Sequence, residues 1–139
     1  MIETIDEFEL QLSRLDPHDH AFVLYADALI ESLSPELHAN VYDVIFRFFE
    51  VYADADCGAP GTFVHLVEAF YPNYVDSLLA SVDRKTSYNG VLMINRILNS
   101  KVDDDLRNQL MTRIVRASRD ETAATHVREM AACFVQRHS

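Results

Sequence analysis

The sequence predicts an all-α protein, and three observations carry that prediction. Apolar residues recur at three- and four-residue spacing from Ile5 to Val135, and no segment alternates apolar with polar as a half-buried strand does. Asp16-Pro17 and Ser34-Pro35 are helix start signals, an acceptor side chain followed by proline, whose missing N–H costs nothing in a first turn. All three glycines (Gly58, Gly61, Gly90) and two of the four prolines (Pro60, Pro72) lie between Cys57 and Asn99, and residues 100–139 contain neither.

In chain order, the first helix is expected from about Glu3 to Leu15, with Ile5, Phe8, Leu12 and Leu15 inward. The second starts at Asp16-Pro17 and turns Phe22, Tyr25, Ala26, Leu29 and Leu33 to the core. The third, roughly Pro35 to Ala53, is expected to be the longest and most apolar. Its polar line is narrow: Asp43, Arg47, Glu50 and Asp54, with Arg47 placed to pair with Asp43 and Glu50. Beyond the Cys57–Gly61 turn come Phe63–Phe70, a break at Tyr71-Pro72-Asn73, and a helix carrying Val75, Leu78, Leu79 and Val82. Asp83–Ser87 reads as a loop. Tyr88–Leu98 is apolar nearly all round, the mark of a central helix. Asp103 caps the next helix, and the last begins near Asp120 with Val127, Met130, Ala131, Phe134 and Val135 on one side.

That makes seven to eight helices in a chain of 139 residues, the length of a single domain with a core of its own. Leu66–Phe70 aligns with Ile94–Leu98 at an offset of 28 residues, and each run precedes a second amphipathic helix. The spacing suggests stacked antiparallel helical hairpins, HEAT/armadillo-like in character. Three parts follow: an acidic N-terminal part (1–56), a central stack (57–99) and a C-terminal helical pair (100–139).

The charge is one-sided. Residues 1–56 hold thirteen Asp/Glu against only Arg14 and Arg47, whereas residues 57–139 hold nine Asp/Glu against ten Lys/Arg. The net charge of −10 therefore resides before the glycine turn. It argues against direct binding of nucleic acid, which needs clustered cations, and favours encounter with a basic partner. No apolar run reaches the ~18–20 residues of a membrane span, and the acidic N-terminus is unlike a secretory signal, so a cytoplasmic location is expected. Cys57 and Cys133 make neither a disulfide framework nor a zinc spacing; Cys133 is read as a small core residue.

Catalytic signatures are absent, and neither a cofactor nor a metal is expected. His18-Asp19 matches the doublet of HD-domain phosphohydrolases, but no histidine precedes it to supply their upstream ligand. A metal-dependent HD-like hydrolase is thus the third reading, behind a generic helical-repeat adaptor. His65 and Glu68 sit at i, i+3 with no nucleophile around them, and a partly buried, hydrogen-bonded histidine is expected.

Asp56-Cys57-Gly58-Ala59-Pro60-Gly61, Phe63-Val64-His65-Leu66-Val67-Glu68 and Met93-Ile94-Asn95-Arg96-Ile97-Leu98-Asn99 together resemble the small bacterial immunity proteins that accompany polymorphic toxins, including contact-dependent growth inhibition systems. The likeness covers about a third of the chain. It implies a non-enzymatic cytosolic protein, monomeric or weakly associating, that binds and blocks the C-terminal domain of a cognate toxin. Many such toxins are nucleases, basic because they hold phosphate, and an acidic decoy surface suits them. On this basis the expected partner-binding residues are Asp27, Glu31, Glu36, Asp43, Glu50, Asp54 and Asp56, with Tyr71 or Tyr74 as aromatic anchor. His65, Asn95, Arg96 and Asn99 are assigned to internal polar bracing.

Overall fold

The computed structural model describes all 139 residues, and it is all-helical. Eight α-helices follow in order: α1 (Ile5–Leu12), α2 (Phe22–Ser32), α3 (Tyr42–Val51), α4 (Thr62–Glu68), α5 (Val75–Arg84), α6 (Tyr88–Leu98), α7 (Asp104–Ser118) and α8 (Thr125–His138). A 3-10 helix, Pro35–Asn40, sits between α2 and α3. One continuous cluster of 32 buried apolar residues runs from Ile2 to Phe134, so the chain has one core and not two.

Local side-chain chemistry moves several helix boundaries. Helix α1 is shorter than the apolar spacing suggests, because Thr4 caps it by accepting the N–H of Glu7 (3.1 Å). Asp16-Pro17 opens a turn rather than α2. The carboxylates of Asp16 and Asp19 accept the N–H groups of His18 and Ala21, holding the segment in successive Asx turns until Phe22. The expected single third helix is broken at Val41, where ψ of 1° leaves the helical region, and α7 at 15 residues is the longest helix instead. Helix α5 extends through Asp83 and Arg84, and α8 starts at Thr125 because Asp120 takes the N–H and hydroxyl of Thr122 in a turn. Cys57 is buried and Cys133 is exposed, the reverse of the expectation for Cys133.

Helix α6 occupies the middle. It packs against α3, α5, α7 and α8, and Val91, Met93, Ile94, Ile97 and Leu98 are all buried. The α7–α8 and α5–α6 neighbours form consecutive pairs as a hairpin stack requires, but α2 packs on α4 and α3 on α5, each skipping an element. That skipping separates the fold from a regular repeat. The N-terminus is tied down by one parallel bridge: Ile2 N–H donates to the Ser32 carbonyl (2.6 Å), and Ser34 N–H donates to the Ile2 carbonyl (2.9 Å).

The turn between α3 and α4 is tightly specified. Cys57 and Gly58 both lie in the left-handed region (φ 55° and 74°), and Asp56 accepts the Gly58 N–H at 2.9 Å. A Cβ on Gly61 would stand 2.5 Å from the carbonyl oxygen of Cys57, a backbone atom that cannot swing aside. Gly61→Ala is therefore expected to destabilise the fold by about 1–3 kcal/mol. A urea unfolding midpoint equal to wild type would show that the turn opens freely.

Candidate functional site

The thirteen N-terminal carboxylates, Glu50 excepted, survive folding as surface charge. Twelve are exposed, and of the thirteen only Glu50 lies within 4 Å of an Arg or Lys. Asp27, Glu31, Glu36, Asp43, Asp54 and Asp56 are all exposed, on α2, the 3-10 helix, α3 and the turn that follows it. Two of them also organise backbone or side chains nearby: Asp27 accepts the hydroxyl of Thr62 at the start of α4, and Asp56 holds the Gly58 turn. Asp54 is anchored through its carbonyl, which accepts Nε2–H of His126 at 2.8 Å.

Exposed apolar surface gathers in the same part of the chain. Met1, Leu10, Val23, Leu24, Tyr25 and Val51 are six of the seven large apolar residues left exposed, Tyr71 being the seventh. Tyr25, assigned by spacing to the core stripe of α2, is 52% exposed. Two grooves run alongside α1. One, of about 440 Å³, lies against α2 and is lined by Met1, Leu15, Tyr25 and Leu29, with Glu7 among the lining residues. The other, of about 510 Å³, lies against α3 and is lined by Leu12, Val44, Phe48, Val51 and Tyr52, with Glu9 and Arg47 as its charged residues. The second groove shares Val51 and Tyr52 with a recess that holds Asp54 and Glu50. An apolar floor with a charged rim is the usual anatomy of a protein-docking surface.

Two expected contact residues belong elsewhere. Glu50 is 12% exposed at its side chain and accepts Ser81 Oγ (2.8 Å) and Arg84 Nε and Nη2 (3.1 and 2.8 Å), so it is a strut between α3 and α5 and not a rim charge. Arg47, expected to pair with it, does not. Tyr74 is 2% exposed, its ring against Phe46 and Tyr71, and it cannot anchor a partner. Tyr71 remains exposed, but it lines a small separate recess with Glu68 and Arg96 that shares no residue with the α1 grooves.

The remaining polar motif residues divide in the same way. Arg96 donates to both oxygens of Glu68 (2.6 and 2.9 Å), and buried Asn95 accepts Nε2–H of His138 (2.8 Å). His65 and Asn99 are exposed, which corrects the bracing role expected of them. No three His, Cys, Asp or Glu side chains gather in a metal-holding arrangement; His18 instead stands edge-on to the ring of Tyr52. Burial, with Asp56 adding to it, pushes the Cys57 thiol up to about 12, so it stays protonated and unreactive near neutral pH.

Spacing alone misses Leu10, Val23, Leu24 and Val51 as surface residues, and Glu7 and Glu9 as groove lining. A signal for the first set exists: Phe22–Tyr25 is a four-residue apolar run, more than one helical stripe can bury. Glu7 and Glu9 carry no such mark, since acids in early helix turns have a structural reason to be there. Comparison of the chain with protein-family models, curated proteins and solved structures gave no match.

Burial raises the Glu50 carboxyl, but the hydrogen bonds from Arg84 and Ser81 and the charges of Arg84 and Arg47 outweigh it and hold it below its ordinary 4.5. A depressed carboxyl contributes stability at pH values above 4.5, and that contribution fades as pH falls through its folded value. Glu50→Gln is expected to lose about 1–3 kcal/mol at neutral pH and to converge on wild type in acid. A constant gap between the two in urea titrations from neutral pH to pH ~3 would show that ionisation of Glu50 contributes nothing.

Proposed function

We propose that this chain is an immunity protein that neutralises a cognate toxin domain, a basic nuclease, by seating its acidic N-terminal face on the toxin's active site or substrate surface. The observation that carries the reading is a coincidence along the chain. Twelve exposed carboxylates and six of the seven exposed large apolar residues share the first 56 residues. Solubility alone calls for charge, but not for charge confined to the part of the chain that also exposes its large apolar side chains. A nuclease must present cationic groups to hold phosphate, and an acidic surface competes for those groups directly.

The two kinds of residue have different tasks in this reading. The carboxylates act over a Debye length, about 8 Å at physiological salt, and speed capture. The apolar groove between α1 and α3 receives a side chain of the toxin and slows release, since affinity resides in desolvated anchors more than in rim charges. The free protein is a monomer that works in the cytoplasm, and it has no chemistry of its own.

Co-expression with the toxin domain encoded beside it is expected to rescue growth, and absence of rescue and of binding would remove the proposal. Within the complex, Asp54→Lys with Asp56→Lys is expected to slow association about tenfold at low ionic strength, with the difference vanishing in high salt. Val51→Asp, at a side chain already 75% exposed, leaves folding intact and accelerates dissociation about tenfold. Association and dissociation rates untouched by both variants would place the interface elsewhere.

A further inference from the structure

The largest recess in the molecule, about 610 Å³, has the opposite character to the N-terminal face. It opens between the C-terminal ends of α5 and α7. Four cations line it, Arg84, Lys85, Arg116 and Arg119, against two carboxylates, Asp83 and Asp120. Both carboxylates are already engaged. Asp83 is shared by Arg116 and Arg113 (3.1 Å), two guanidiniums on one anion. Asp120 accepts the N–H (2.9 Å) and hydroxyl (2.6 Å) of Thr122. Arg84 is spoken for by Glu50. Counting Arg113 and Glu50 with the wall leaves two positive charges in excess.

Helix ends explain part of this wall and not the rest. Each helix C-terminus carries roughly half a negative charge, which Arg84 and Arg116 in the last turns already satisfy. Lys85 and Arg119 are the capping residues just beyond, both exposed and neither within 4 Å of a carboxylate, although the charge of Lys85 is felt by Asp120. On a chain of net charge −10, two cations outside any ion pair, beside a half-neutralised arginine pair, make a concentrated site for an anion. The excess matches a dianion, and guanidiniums and an ammonium suit an acceptor-only group with several oxygens. No aromatic side chain lines the recess, so it offers a nucleobase nothing to stack on.

We infer that this recess binds the dianionic phosphate of a small polar phosphate ester, with Lys85, Arg116 and Arg119 as its charge partners. The inference does not depend on the toxin reading, although Lys85 also lines the neighbouring recess that holds Glu50 and Asp54. The test is an amide-shift NMR titration of the full chain with glycerol 3-phosphate at matched ionic strength. The pH is held above about 7, where the monoester is dianionic. Saturable shifts centred on Lys85, Thr86 and Arg119 are expected, with a Kd on the order of 1 mM or tighter. The double variant Lys85→Gln, Arg119→Gln removes two exposed unpaired groups; it should keep the wild-type unfolding midpoint and bind at least about tenfold more weakly. Non-saturating shifts equal to those from chloride, saturable shifts elsewhere, or undiminished binding by a folded double variant would each overturn the assignment. So would a nucleoside monophosphate binding tenfold more tightly than glycerol 3-phosphate. The native-chain titration decides the matter even if the double variant does not fold.

Discussion

The burial of α6 on nearly every side is the constraint from which the rest of the molecule follows. A helix with only the Tyr88, Leu92 and Arg96 stripe partly open to solvent must find partners for most of its polar groups inside the protein, because each buried group left unpaired costs about 1–3 kcal/mol. Those partners come from distant parts of the chain. Tyr88 N–H donates to the Ala53 carbonyl (2.7 Å), and Asn89 Nδ2 donates to the carbonyls of Ala55 and Asp56 (3.3 and 3.1 Å). Asn95 meets His138 near the C-terminus, and Arg96 meets Glu68 at the end of α4. Only Asn89 Oδ1 is left without a donor along α6. The helix thereby fixes the end of α3, α4 and α8 around itself, and with them the turn that separates the acidic part of the chain from the balanced part.

The distribution of arginine follows from the same economy of partners. Arg84 is committed to Glu50, Arg96 to Glu68, and Arg113 with Arg116 to Asp83. Only the first of these engages an N-terminal acid. The second half of the molecule consumes its cations in bracing its own helices and in lining the recess at the ends of α5 and α7. The N-terminal carboxylates therefore keep their charge and their field. Mutual repulsion among them works against compactness, a cost that the single shared core must cover.

Helix α1 shows where that cost is least felt. It has eight residues, buries only Phe8 and Leu12, and is held at the chain's start by the Ile2–Leu33 bridge. Grooves on both of its flanks leave apolar side chains of α2 and α3 in reach of solvent. Lightly packed elements are where proteins place surfaces that meet partners, since core elements cannot expose apolar area without losing stability. The light packing of α1 thus leaves open the grooves that the proposed docking would use.

Helical class, the central position of α6, the Cys57–Gly61 turn and the lopsided charge were all legible in residue spacing, because each depends on neighbours within a turn or two or on simple counting. The apolar run Phe22–Tyr25, more than one stripe of α2 can bury, was a signal that spacing alone passed over. Spacing failed where a side chain had a choice of partner. Asp16 and Asp19 took backbone N–H groups in turns and delayed α2; Glu50 preferred Arg84, thirty-four residues away, to Arg47 on its own helix. Tyr74, just before α5, went inward, and Tyr25, on the apolar stripe of α2, went outward. Periodicity says which residues share a face, but which face is covered depends on the helices that arrive from elsewhere, and those contacts are set by the packing of the whole chain.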